Sequence, residues 1–536
     1  MLIDYRTTRK FNKPKSVATV VRDFSKLQNT ELDQDKIPFE VFHEAKNVIH
    51  KGLDADVRKG VTKLGTVASI LGIGFHKVDS ATNMLGVVKT TTTSKVVSIS
   101  RTDGSTADIT TGVVGTSAPN FNSLRQTAYI ANSEADIELV SSIGATGTPI
   151  AMPSSAIAKF ATNDTERLWV AQTNGLLRAS TISEGEVASA HFTVSGTAIS
   201  RAVLAQTQIV NFKSLKSNGK LVCAAGDDSI ELHRTPNFAT NGITTYPADV
   251  PTLVQSYINI GVSNNDAIIP YDSGFFVKPK DGVLYFIAEA LDKPQEFRID
   301  LQEMEKMDWS NCVMGIDLKK KLLFITGKFN ASYDRTIVFN IQEQNFSYYD
   351  NIWSRQWISD AANIYYLNSF NFDIQDAFQD SYVTDNGVKI DWEIETASVY
   401  GNLENYWKST LFFMNVLYGG DIDVTASLVV DGRVGGTKAP SWTKTFELKD
   451  TSTAFTGGIA GFGSGIFSGI EAGLAMYHKD SELYTETYNY NEKVLTTFKR
   501  GFLRLAGSSR NLFSIRGIGM NSVPTSRQVR DVTMSN

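Results

Sequence analysis

The chain is poor in the residues that staple a fold or hold a metal. Its 536 residues include two cysteines and six histidines. Cys223 and Cys312 stand in apolar, strand-like runs and are expected to be buried thiols, so a disulfide framework is not indicated. Of His43, His50, His76, His191, His233 and His478, only the first two have a spacing to consider. They are seven apart and are expected on the wet side of a helix. No H-E-x-x-H, phosphate-binding G-x-x-x-x-G-K or G-x-S-x-G motif occurs. Asp227-Asp228 reads as a turn and Asp421/Asp423 as a strand entrance, while Asp54 and Asp56 lack the other ligands of a calcium loop. The residues present no catalytic constellation, so a non-enzymatic protein without cofactor or metal is expected.

Long apolar runs are also missing. No stretch of about 20 strongly apolar residues exists, and charge from Asp4 onward leaves no room for a signal-peptide core. A net charge of −5 excludes a broadly basic, generic nucleic-acid-binding surface. Positive charge is concentrated in the arm MLIDYRTTRKFNKPKS, where Arg6, Arg9, Lys10, Lys13 and Lys15 face only Asp4. This arm is either a solvated tail or one that docks on an acidic neighbour or on nucleic acid. With 42% hydrophobic and 20% charged residues, the rest has the composition of a globular protein with a sizeable core.

What is abundant is strand texture. Residues 17–50 carry apolar positions at spacings of 3 and 4 and are expected to be helical, with Pro38 opening a helix. After about residue 60, short runs of Val, Ile, Thr, Tyr and Phe alternate with Gly, Asn, Asp and Ser turns. Blocks of strand, tight turn and strand recur every 40–60 residues or so, the spacing of β-propeller blades. Their turns are Asn132-Ser133, Asn174-Gly175, Gly226-Asp227-Asp228 and Asp281-Gly282. Tyr348, Tyr349, Trp353 and Trp357 read as a seam closing a blade, followed by a loosely patterned bridge. From Asp385 longer alternating strands suit a sandwich with one buried face. The expected fold is mainly β. A basic arm and helical segment (1–60) would precede a β-propeller-like domain (61–380) and a C-terminal β-sandwich (385–536).

One insertion, residues 451–478, departs from this texture. Its glycines recur every fourth residue, at Gly457, Gly461, Gly465, Gly469 and Gly473, with Phe462 and Phe467 between them. On a helix they would form one stripe free of side chains, which lets two backbones approach closely in apolar surroundings. In water each helical glycine costs about 1 kcal/mol relative to alanine, so an isolated helix is disfavoured. The flanks read as strands, which places the insertion at the tip of a hairpin.

The stretch KNVIHKGLDADVRKGVTKLG resembles the N-terminal signature of tail nozzle, or packaged-DNA stabilisation, proteins of short-tailed bacteriophages, through Asn47, Val48, Gly52, Arg58 and Gly60. The block TERLWVAQTNGLLRAST, with Trp169, is similar to a hairpin of that group. So is IDWEIETASVYGNLENYWKSTLFFMNVLY, with Trp392 and Lys408, to the first strands of its sandwich. The spacing of SLKSNGKLV before LVCAAGDDSIELHR, the strand at Trp353-Ser354-Arg355 and the closing FLRLAGSSRNLFSIRGIGM fit the same pattern. The resemblance implies a structural virion protein assembled as a ring, usually six-fold, below portal and adaptor proteins. Such a ring encloses the channel through which double-stranded DNA leaves, without sequence-specific contacts. The family has no catalytic residues to carry over, and the glycine ladder is not a standard element of it. The ladder is then a channel plug, an element in transient contact with the host membrane, or a surface loop. A carbohydrate-binding or depolymerase-type propeller and a cellular propeller scaffold are the alternatives.

Overall fold

In the computed structural model of the protein, runs of β-branched and aromatic residues, cut by polar turns, form forty strands among the described residues, and no α-helix occurs among them. The structure describes residues 17–525 except 22–41, 52–53, 76–81, 111–114, 143–144, 147, 165, 182–184, 194–201, 235–250, 281–282, 299–306, 329–333, 397–405, 419–421, 432–439, 449–485, 494–496, 499 and 510–512. The chain divides into two compact units. One is Lys59–Gly387; the other joins Met1–Arg58 to Val388–Asn536.

Lys59–Gly387 contains seven runs of four antiparallel strands. Their first strands are Ile70–Gly74, Asn120–Leu124, Ala158–Asn163, Ser214–Ser217, Ile268–Tyr271, Asp308–Asp317 and Ser354–Ser359. Each first strand lies beside the next, and the seventh returns to the first, so the order is cyclic. The fourth strand of the seventh sheet comes from the start of the unit. Val61–Thr66 pairs antiparallel with Asp373–Ala377, which closes the array with residues more than 300 positions apart. Apolar clusters fill the spaces between neighbouring sheets. Trp169, Leu177, Phe212 and Leu215 do so between the third and fourth, and Phe324, Trp357 and Phe378 stack between the sixth and seventh. The Asn174-Gly175 turn joins Leu168–Gln172 to Leu177–Ala179, with Gly175 at φ +82°, a conformation glycine adopts without steric cost.

The second unit has two sheets over one core. One sheet runs in the order Val48–Lys51, Asp54–Val57, Phe513–Thr525, Tyr406–Tyr418, Glu486–Lys493, with Val17–Val21 beside Phe513–Thr525. The other holds Phe42–Lys46, Ile390–Thr396, Arg500–Ser509, Ile422–Asp431 and Pro440–Leu448. Every second residue points into the shared core. Phe412, Met414 and Val416 come from the first sheet, and Val424, Ala426, Leu428, Leu503 and Leu505 from the second.

Three expectations are corrected. The described parts of 17–50 are strands, not helix. Val17–Val21 is VATVV, whose β-branched side chains are stiff at χ1, and it pairs Val17 with Ser522 and Val21 with Ile518. Phe42–Lys46 pairs with Ile390–Thr396, and His43 and His50 therefore lie in strands. The 3-and-4 spacing was outweighed by strand partners that lie hundreds of residues away. The flanks of the glycine-rich insertion do not form a hairpin either. Pro440–Leu448 pairs with Ile422–Asp431 in one sheet, and Glu486–Lys493 pairs with Tyr406–Tyr418 in the other. The bridge after Trp357 is two further strands, Ile364–Asn368 and Asp373–Ala377.

Candidate functional site

The inner strands of the cyclic array line an open cavity of about 520 Å³. Its walls come from the first, second, fourth, fifth and seventh sheets, through Phe75, Phe121, Lys216, Asp266 and Gln356 among others. Amide side chains tie the inner strands to one another. Gln356 accepts from Ile73 N at 2.8 Å and donates Nε2 to Ile73 O at 2.9 Å, joining the seventh sheet to the first. Asn120 Oδ1 accepts from Ala161 N at 2.8 Å, joining the second to the third. Asn265 Oδ1 accepts from Leu215 N and Ser214 Oγ, both at 3.1 Å, joining the fifth to the fourth. Each such bond adds about 1 kcal/mol net and fixes the spacing of the wall.

The cavity's charges are compensated. Lys216 Nζ lies 3.3 Å from Asp266. Asp360 is paired with Arg101 at 2.7 Å. The Arg101 guanidinium also lies 5.3 Å from the Phe75 ring centroid and donates Nε to the Tyr365 hydroxyl at 3.0 Å. Burial opposes its charge, but Tyr365 and Asp360 outweigh that and hold its pKa above the ordinary arginine value. Asn120 and Asn122 both line the cavity and lie two apart on one strand, hence on one face. The Asn122 Nδ2 atom is buried without a hydrogen-bond partner among the described residues.

The family-like residues occupy other places. Asn47 and Arg58 form a buried clamp. Arg58 Nε donates to Asn47 Oδ1 at 2.9 Å, Arg58 N donates to Asn47 O at 3.0 Å, and Asn47 Nδ2 donates to Asp391 O at 2.7 Å. Val48 is buried in the core beside them. Gly60 donates its N–H to Tyr382 O at 2.8 Å, and a Cβ there would stand 1.9 Å from Thr384 O. Trp169 is fully buried and donates Nε1 to Asp164 Oδ2 at 2.8 Å. Trp392 stacks on Phe513 with ring centroids 4.6 Å apart. Lys408 stands in register with Val523 and Thr497. Asn47, Arg58, Gly60, Trp169 and Trp392 pack and position strands; they do not converge on one site. Gly52, the basic arm (Arg6, Arg9, Lys10, Lys13, Lys15), the glycines 457–473, Phe462 and Phe467 lie outside the described residues.

Sequence reasoning missed the cavity. The available signal was the strand Asn120–Leu124, NFNSL, which puts amides where the neighbouring strand TAYIA is buried throughout.

No family model matches the chain, and no curated protein matches it. Among solved structures, the computationally designed Ika8 protein is similar at a TM-score of 0.40 and 10% identity, over 63% of this chain and 98% of that one. A chain in the mitotic checkpoint complex is similar at a TM-score of 0.37 and 8% identity, over 71% of this chain and 100% of that one.

Proposed function

We propose that Lys59–Gly387 is a seven-bladed β-propeller, that the two-sheet unit is a β-sandwich, and that the chain is a structural protein of a phage tail nozzle. The cyclic order of the seven first strands and the closure by Val61–Thr66 support the propeller reading. The observation that carries the functional reading is the Asn47–Arg58 clamp followed by Gly60. It stands where the chain passes from one unit to the other, and the signature of the resembling family falls on those residues.

In this reading several copies, six by family likeness, form a head-to-tail ring below the portal and adaptor proteins, with other tail proteins as neighbours. Heterologous contacts close such rings. Double-stranded DNA passes between the copies. A 520 Å³ cavity is the size of a small-molecule site, so the axis of one chain does not serve as the conduit. A net charge of −5 suits a passage that must not hold DNA by many phosphate contacts. The insertion 451–478 then retains the genome as a plug or meets the host membrane during ejection. The test is quantitative peptide mass spectrometry on gradient-purified virions of the source phage. A fixed copy number close to that of the portal is expected; absence from the particles would end this reading.

A further inference from the structure

We infer that the axial cavity of Lys59–Gly387 is a binding site for a small, neutral, polyhydroxylated molecule, a sugar unit. This stands independently of the virion reading. Four observations lead to it. The volume, about 520 Å³, lies within the range of sites that enclose a small ligand. The charges in the wall cancel in pairs, Lys216 with Asp266 and Asp360 with Arg101, so the cavity offers no net field to an ion. Phe75 and Phe121, both half-buried, line it and give apolar surface of the kind that packs against the C–H face of a pyranose. Asn122, which lines the cavity, has a buried Nδ2 with no partner among the described residues, and an unpaired buried amide is costly, by about 1–3 kcal/mol.

A hydroxyl both donates and accepts. An amide, an ammonium and a carboxylate brought together, as Asn122, Lys216 and Asp266 are, satisfy hydroxyls of either polarity. A purely apolar ligand would leave the Asn122 amide unpaired, and an ion would have to break one of the two pairs. Gln356, through both of its amide atoms, and the Asn265 and Asn120 carbonyl oxygens hold neighbouring strands. Asn122 Nδ2 is a buried donor of the wall without a partner among the described residues.

The test is saturation-transfer NMR on the full chain with glucose, galactose and N-acetylglucosamine, each also offered within a soluble polysaccharide. Transfer to ring C–H protons with millimolar, saturable affinity is expected for at least one sugar. Binding at least ten-fold weaker is expected in both Asn122→Leu and Lys216→Met, each checked for an unchanged unfolding midpoint. Binding of the free sugar alone assigns a free monosaccharide, and binding of both forms assigns the end unit of a glycan. No transfer from any sugar to the folded wild-type chain would overturn the inference. So would transfer that both folded variants retain in full, which would place the contact elsewhere on the surface.

Discussion

Trp169 and Trp392 are both buried, yet their indole N–H groups have different fates. Trp169 donates to the Asp164 carboxylate, which also accepts from Glu166 N and Arg167 N. Trp392 Nε1 has no partner among the described residues. Replacing each by Phe removes similar ring volume but a hydrogen bond only at Trp169. Trp169→Phe should therefore be the more destabilising by about 1–2 kcal/mol, read as the unfolding midpoint in urea; the reverse order would contradict the pairing. A second residue-scale prediction concerns acid. Glu231 is 2% exposed and faces His233 Nε2 at 3.0 Å, Gln208 N at 2.9 Å and the Thr207 hydroxyl. Burial pushes its pKa up, but these partners outweigh it and hold it below the ordinary 4.5. A depressed folded-state pKa means stability that is full above the unfolded value and lost as pH falls through the folded one. Glu231→Gln should thus lower stability at pH 7 and flatten its decline below about pH 4.5, seen in melting temperature against pH. Asp164 bonds Glu166, Arg167 and Trp169, and Glu231 bonds His233, all within five residues, so these partners were near in the sequence; the Gln208 bond to Glu231 spans 23 residues and depends on how distant backbone is laid down.

At the scale of elements, the closing strand Val61–Thr66 is held by side chains as well as by its ladder. Asp373 accepts from Thr66 Oγ1 and lies 3.0 Å from Lys63 Nζ. The two partners are unequal. The Asp373 side chain is 8% exposed, whereas that of Lys63 is 47% exposed. Asp373→Ala should cost about 0.5–1.5 kcal/mol by removing the buried acceptor of the Thr66 hydroxyl, and Lys63→Ala close to nothing. Comparable losses in thermal unfolding would mean that the ion pair matters more than the Thr66 hydrogen bond. Hairpins were the legible part of the fold, since Asn174-Gly175 and Gly226-Asp227-Asp228 signal their turns locally. Strands with distant partners were not. VATVV at residues 17–21 meets its ladder some 500 residues later, and the strands at 364–368 and 373–377 are recognisable chiefly through neighbours that include the unit's own first strand.

For the whole molecule, the division into a strand-dense middle and a two-sheet remainder follows from patterning, since alternation over 412–418 and 422–428 announces a one-sided core. The sequence did not announce that the first 58 residues belong with the last 149, because a single strand's composition does not name its partner. The glycine ladder is tested at this scale. If it retains DNA or meets a membrane, a Gly461→Leu/Gly465→Leu chain should assemble into particles that leak genome or lose infectivity. Particles with unchanged retention and titre would leave the ladder without either role. The order of synthesis adds a further consequence. Ala55 pairs with Ile515, 460 residues later. At ~5–20 residues per second, the N-terminal strands leave the ribosome roughly 20–90 s before their partners exist. The cyclic unit can be complete by then. For at least that interval the nascent chain carries the VATVV edge without its mate, whereas FHEAK waits only for Ile390–Thr396, which makes VATVV the segment on which a chaperone, or a neighbouring nascent copy, has the longest opportunity to act.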